Sequence, residues 1–397
     1  MSIEKKKVRV GMIGYKFMGK AHSLAYRNLP FFFDTKVVPV MQAISGRNEA
    51  GVKKAAEKMG WASYETDWRK LIQRDDIDVI DIVTPNSTHF EMAIAAAEAG
   101  KHIICEKPLS MNVNQAKRMY EAVQKNGVIH MICHNYRFAP AVQYAKKLID
   151  QGRLGNIRHI RGTYLQDASM DPNLPITWRA KKEITGSGAL GDIGSHSLDL
   201  ARFLVGEFQE VVGVMETFVK QRPIQNEGLN VQVDATKMGE VTVDDATVIL
   251  ARFENGAIGT FEATKFAGGN LNGNRFEING DKGSIRWDLE NLNNLDVYFA
   301  DDEPGLRGFR TINCTEEIHP YAGAYWPPAH IIGYEHTFIN LLSDFMNGIA
   351  DGISPKPNFE DGLRNQIVLE SIEKSAMQKS WVNISEISNN SLVTNLK

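Results

Sequence analysis

The chain has 397 residues, 43% hydrophobic and 23% charged, a globular composition with enough length for two hydrophobic cores. A net charge of -3 and a pI near 6.4 leave no basic footprint for nucleic acid, and no apolar run reaches membrane-spanning length. Cys105, Cys133 and Cys314 are odd in number and widely spaced, which fits reduced thiols better than a disulfide framework or a zinc site. The apolar run Val10–Tyr15 is too short for a signal-peptide core, so a cytoplasmic location is expected.

In chain order, the first element is a β-branched run, Val8–Ile13, that leads into Gly14 and, five residues on, Gly19. A strand turning sharply into a helix needs glycine where backbone passes close to backbone, and the amides of the first helical turn then favour an anion such as a dinucleotide pyrophosphate. Lys16 stands where G-x-G-x-x-G has its middle glycine. The phosphates then sit slightly farther out, or Lys16 pairs with them. Further strand-like runs at Val37–Ser45, Val79–Val83, His102–Cys105 and Ile129–Cys133 alternate with helical patterns at Asn48–Lys58, Phe90–Ala99 and Gln115–Asn126. This alternation predicts βαβ units and a parallel sheet covered on both faces.

After about Asn135 the pattern changes. A helix is predicted near Ala141–Asp150 and a strand near Ile157–Leu165, followed by strands at Val211–Lys220, Val243–Phe253, Ala257–Phe266, Arg275–Ile278 and Ser284–Leu289. Glu254-Asn255-Gly256 and Asn279–Gly283 read as hairpin turns, so this part is a largely antiparallel sheet. Gln221–Gly239 is polar and strand-poor and reads as a surface excursion. Helices are predicted at Tyr334–Ile349 and Asp361–Gln378, the latter a candidate to pack back on the first domain, and the tail after Ser385 is expected to fray. The predicted fold is α/β: a dinucleotide-binding Rossmann domain over residues 1–135 and a second α/β domain with an open, largely antiparallel sheet over 136–397.

Four segments carry candidate chemistry. Thr84-Pro85-Asn86-Ser87-Thr88-His89 leaves the Val79–Val83 strand where open parallel sheets bind ligands, though a helix-capping loop would look the same. Glu106-Lys107-Pro108 leaves the next strand; its lysine is either a solvated charge or faces the same crevice as the phosphates. Tyr136-Arg137 lies at the domain junction, as a binding pair or as interface packing. In the glycine-rich run Gly186–Asp199, Asp192, His196 and Asp199 share a helix face at i, i+4 and i+7. That stripe suits a pocket wall with acid/base chemistry, a divalent metal, or a helix cap with a core histidine. A single helix rarely supplies a whole metal site and Lys107 would oppose a cation, so no metal is expected.

In this order, the glycine turn with Gly19-Lys20-Ala21-His22, Thr84-Pro85-Asn86-x-x-His89, Glu106-Lys107-Pro108, Tyr136-Arg137 and Gly188-Ala189-Leu190-x-Asp192-x-Gly194-x-His196-x-x-Asp199 resemble the Gfo/Idh/MocA oxidoreductases. The resemblance implies a catalytic triad at Lys107, Asp192 and His196, and a cis Lys107–Pro108 bond. It also implies cofactor contacts from Gly14, Lys16, Phe17, Met18, Ser45, Arg47, Thr84, Pro85, Asn86, His89, Glu106 and Lys107. Phe17–Tyr26, Gly162–Asp167, Trp178-Arg179 and Arg307–Thr311 are further similar to bacterial glycoside 3-dehydrogenases within the family. They imply oxidation of a sugar or glycoside, at the C3 hydroxyl, with substrate contacts at Tyr136, Arg137, Gln166, Asp167, Trp178, Arg179, Asp192 and His196.

Many NAD-dependent relatives carry an acid at the end of the second strand, where this chain has Ser45-Gly46-Arg47. Gly46 would leave room for a 2′-phosphate and Arg47 could pair with it, so NADP stays open beside the expected NAD. An inositol dehydrogenase and a dinucleotide-binding sensor without turnover are the competing readings. The expected partners are a small sugar and further copies of the chain, with neither nucleic acid nor membrane.

Overall fold

In the computed structural model, which describes residues 5–225 and 233–393, the chain divides into two compact units. The first takes the described residues up to Ser110 with 114–139 and 315–364, and the second takes 111–113, the described part of 140–314, and the described residues from Asn365 on. The division is therefore not a single cut in the chain.

The first unit is built on six parallel strands: β1 (Lys7–Ile13), β2 (Val38–Ser45), β3 (Ser63–Glu65), β4 (Val79–Ile82), β5 (His102–Cys105) and β6 (His130–Ile132). Their order is β3-β2-β1-β4-β5-β6. Strand order reverses between β1 and β4, so the carboxyl ends of the central strands border the crevice where such sheets bind ligands. β4 is buried along its whole length, as a strand covered on both faces must be. Helix α1 (Phe17–Phe32) buries Ala25, Tyr26 and Leu29 in the core that holds Val10 and Met12. The helix Tyr334–Asp351 adds Phe338, Leu342 and Phe345 to this core, so a segment remote in sequence completes it. β3 and the helix Trp68–Gln73 escaped the sequence reading because elements of three and six residues are too short to show a period.

The second unit carries a nine-stranded sheet. Its strands are β7 (Ile157–Leu165), β8 (Phe208–Glu216), β11 (Ala246–Phe253), β12 (Ile258–Thr264), β13 (Gly273–Gly280), β14 (Gly283–Asp288), β15 (Asn294–Phe299), β16 (Arg310–Asn313) and β17 (Val382–Asn383), while β9 (Gln221–Gln225) and β10 (Val233–Glu240) pair separately. The order is β16-β15-β14-β13-β7-β12-β11-β8-β17, with β7 and β12 parallel and every other pair antiparallel. Both hairpin turns form where expected, the first with Gly256 at φ 85° between β11 and β12.

Two expectations fail here. Gln221–Gly239 is richer in strand than expected: β9 and β10 form an antiparallel ribbon, which polar residues can build because its ladder is made of backbone groups. Residues 226–232 of that segment lie outside the described residues. Within the described residues the tail does not fray after Ser385, since helix runs over Ile384–Val393. The long helix Phe359–Gln378 starts in the first unit and passes into the second after Arg364. One face of the large sheet exposes Val214, Val248, Leu250 and Ile258.

Candidate active site

At the end of β1, Gly14 adopts φ 111°, and a Cβ there would stand 2.7 Å from the Val83 carbonyl oxygen. Its N–H donates to the Ser45 carbonyl at the end of β2 (2.9 Å). Gly19 is needed for close approach, because a Cβ there would lie 2.6 Å from the Gly14 oxygen. Between them Lys16 has φ -80°, so the turn does not require glycine at this place. Lys16 is exposed, with its ammonium 5.5 Å from the centre of the Tyr15 ring. Helix α1 begins without a side-chain cap and without an acidic residue in its first turn. Its amides and positive dipole end thus meet no competing anion from their own helix, which fits a pyrophosphate.

Phe17 is 65% exposed and stacks on Tyr334, and Met18 is half-buried against the same tyrosine. Ser45 is buried and Arg47 exposed. The expected room beside Gly46 is absent on one side: a Cβ there would fall 2.2 Å from Cε1 of Tyr15, whose ring fills that space.

The loops after β4 and β5 are tied together. Thr84, Pro85 and Asn86 are half-buried in the turn that enters the helix His89–Glu98. His89 is fully buried; its Nδ1 faces the Pro108 carbonyl (3.1 Å) and its Nε2 the Thr84 carbonyl (2.9 Å). Burial lowers its pKa, so the neutral ring donates to one of these two carbonyls while its other nitrogen faces the second, and His89 packs between the two loops. Lys107, half-buried, precedes a cis bond to Pro108, as expected. Its N–H donates to Oε2 of Glu106 (3.1 Å), and Oε1 of Glu106 accepts from Nε2 of His22 (3.1 Å). Nδ1 of His22 lies 2.9 and 3.1 Å from the two carboxylate oxygens of Asp81. Burial opposes charge on His22, yet Asp81 outweighs it and holds the pKa well above the ordinary value. Tyr136 and Arg137 are buried in the same unit, with Tyr136 against Tyr334 and Arg137 paired to Asp361 (3.5 Å).

In the second unit, Asp192 lies on a π-helical turn, Leu190–Gly194, that continues as the helix Ser195–Leu204 and carries His196. The preceding glycine-rich turn is clamped by Asp244, whose carboxylate accepts from the N–H groups of Gly188 (2.6 Å) and Leu190 (2.8 Å). A Cβ at Gly188 would lie 1.9 Å from the Asp244 carbonyl oxygen, so no other residue fits. Asp192 accepts from Nζ of Lys265 at 2.7 Å. His196 is 7% exposed, with its ring 6.0 Å from that of Tyr164. Tyr164 Oη and Gln166 Nε2 both donate to Oδ1 of Asn272 (2.8 and 2.9 Å). Asp167 is half-buried, and Trp178, also half-buried, carries the Arg179 guanidinium 4.4 Å over its ring. Asp199 is buried, and among the described residues Asp192, His196 and Asp199 do not form a group with metal-binding separations. His22, Glu106 and Cys133 do, but the imidazole already spends both nitrogens on carboxylates.

Residues 8–134 match the oxidoreductase family with an NAD-binding Rossmann fold, and residues 142–286 match the GFO/IDH/MocA C-terminal domain. The chain belongs to the Gfo/Idh/MocA oxidoreductases. The levoglucosan dehydrogenase of Pseudarthrobacter phenanthrenivorans is 47% identical over 387 residues, 96% of this chain and 99% of the relative. A solved levoglucosan dehydrogenase in complex with NADH and levoglucosan has a TM-score of 0.91 at 47% identity, covering 96% of this chain and all of that one (100%). The myo-inositol 2-dehydrogenase of Thermotoga maritima is 28% identical over 380 residues, 96% of this chain and 99% of its own. This Gfo/Idh/MocA member is accordingly an NAD-dependent dehydrogenase, in keeping with the uncapped start of α1 and the Tyr15 ring beside Gly46.

Three residues of these surroundings were missed from sequence. Asp244 is 56 residues from Gly188, and Lys265 is 73 residues from Asp192. Lys265 follows directly on β12, and a cation at a strand exit was the one local signal available. His22 belongs to the Gly19–His22 run, and its surroundings in the sequence carry no sign of two carboxylate partners.

Proposed function

We propose that this dehydrogenase oxidises a ring secondary alcohol of a sugar or glycoside, at C3, to the 3-keto sugar. The observation that carries the reading is the fixed Lys265–Asp192 pair one helical turn before His196, in a chain alike over nearly its full length to a sugar-oxidising relative. The carbinol carbon gives up a hydride, for which bound NAD would be the acceptor. His196 takes the hydroxyl proton as general base. Lys107 steadies the developing alkoxide with its positive charge. Asp192, oriented by Lys265, accepts a hydrogen bond from a substrate hydroxyl. Gln166, Asp167 and the Trp178–Arg179 pair serve the hydroxyl rim and apolar face of a pyranose. Gly14 and the first amides of α1 would hold the pyrophosphate, with Lys16, Phe17 and Arg47 and the strand-end residues Ser45, Thr84, Pro85 and Asn86 as further contacts of the cofactor. The apolar face around Val214, Val248, Leu250 and Ile258 seats a second copy of the chain, which sedimentation velocity would reveal as a concentration-independent oligomer.

The deciding experiment is a screen of levoglucosan, glucosides and inositols for NAD reduction, with NMR of the product. A ketone at C3 and no turnover of 3-deoxyglucosides are expected, because a site that pairs a hydroxyl rejects the analogue lacking it. A carbonyl at another ring carbon, or activity confined to inositols, would overturn the C3 assignment.

A further inference from the structure

The network below Lys107 has no place in the chemistry just described. Asp81 pairs in register with Ile104 of β5, and Glu106 lies two residues beyond Ile104, so the two carboxylates project from the same face of adjacent parallel strands. That face is covered by α1, whose His22 reaches both of them (2.9 Å to Asp81, 3.1 Å to Glu106). All three side chains are at most 7% exposed, and the ring of Phe338 lies 4.9 Å from the imidazole. A buried arrangement of two acids and one base is a poor source of stability, since well-packed apolar residues of the same volume usually do as well or better. Its geometry has a specific consequence instead. Ionised carboxylates only accept hydrogen bonds, so His22 can serve both only by donating from both nitrogens. Glu106, thus fixed at Oε1, uses Oε2 to accept the Lys107 N–H.

We propose that His22 is a positioning residue for the dehydrogenase reaction: bridging Asp81 to Glu106, it fixes the carboxylate that holds the Lys107 backbone, and so sets the direction in which the Lys107 side chain leaves the sheet. The inference rests on the role given to Lys107 above. A small error in the placement of a group that acts on a developing charge is felt in turnover more than in binding.

The test compares kcat, NAD affinity by calorimetry and thermal midpoint for four variants. Lys107→Ala is the reference; if it retains turnover, the role of Lys107 fails, whatever His22 does. His22→Gln presents an amide oxygen to one of the two carboxylates and cannot serve both, so kcat should fall about tenfold or more while the NAD Kd stays within about twofold. The double variant Asp81→Asn with His22→Gln restores a head-to-tail chain. The carboxamide introduced on β4 donates to the oxygen of the one introduced on α1, whose own NH2 donates to Glu106, and most of the loss should be recovered. Asp81→Asn alone leaves a tautomer of His22 that still donates to Glu106, so kcat should stay within about threefold. The proposal is overturned if His22→Gln keeps near-normal kcat, if the double variant is no better than the single, or if Asp81→Asn loses turnover like Lys107→Ala. Should His22→Gln fail to fold, the double variant and Asp81→Asn decide the matter: both must turn over within about tenfold of the unmodified enzyme.

Discussion

Replacing Lys265 by methionine keeps the alkyl stem but removes the ammonium that donates to Asp192 at 2.7 Å, with the lysine side chain 13% and the aspartate 37% exposed. A charge-assisted hydrogen bond contributes about 1.5–3 kcal/mol, and solvent screening on the aspartate side reduces this to about 1–2 kcal/mol. If Asp192 holds the substrate in the transition state, that energy corresponds to roughly a 5- to 30-fold loss in kcat/KM. Steady-state kinetics on the sugar at saturating NAD would measure it, with Lys265→Arg expected to retain much of the activity. A double-mutant cycle separates this from general damage. In an Asp192→Asn background the further loss on removing Lys265 should shrink to about twofold or less. A full loss in that background, or near-normal kcat/KM in Lys265→Met, would refute the idea that Lys265 acts through Asp192.

Lys107→Ala and His196→Ala should each cut kcat by two orders of magnitude or more, on the order of the effect of a general base or charge stabiliser, with NAD affinity by calorimetry nearly unchanged. Gly14→Ala should weaken NAD binding at least about tenfold, since a side chain at φ 111° and 2.7 Å from the Val83 oxygen must displace the turn; unaltered affinity would argue that the turn is not the cofactor cradle. His130 accepts the Phe359 N–H at Nδ1 (3.1 Å), and burial lowers its pKa to about 4. The unfolded chain therefore binds the proton first, and stability is lost as pH falls from about 6.5 towards 4, by about 3 kcal/mol in all. Thermal midpoints of His130→Gln, which keeps an acceptor, should fall less steeply than the unmodified protein over that range, and parallel curves would count against this assignment.

The elements legible in the sequence are those whose signal is local and periodic. The Gly14–Gly19 turn, the alternation of β1, β2, β4 and β5 with helices, both hairpin turns and the Asp192–His196 spacing each rest on residues within one or two helical turns of one another. Backbone sterics and side-chain periodicity dictate them whatever the rest of the chain does. β16 lacked such a signal: it buries no side chain, and a strand with no buried face has no alternation to read. β15 does turn Leu295, Val297 and Phe299 inward, but three apolar residues among polar loops are too short a run to stand out. The ribbon of β9 and β10, rich in polar residues, shows no apolar period either.

Only the tertiary structure decided which distant groups meet. That Tyr15 fills the space at Gly46, that Asp244 clamps the turn at Gly188, that Lys265 holds Asp192, and that His22 joins Asp81 to Glu106 are choices among many chemically equivalent partners. A hydrogen bond specifies donor and acceptor but not sequence separation, so the pairing is fixed by strand register and helix packing, which arise from the burial of the whole core rather than from any local pattern.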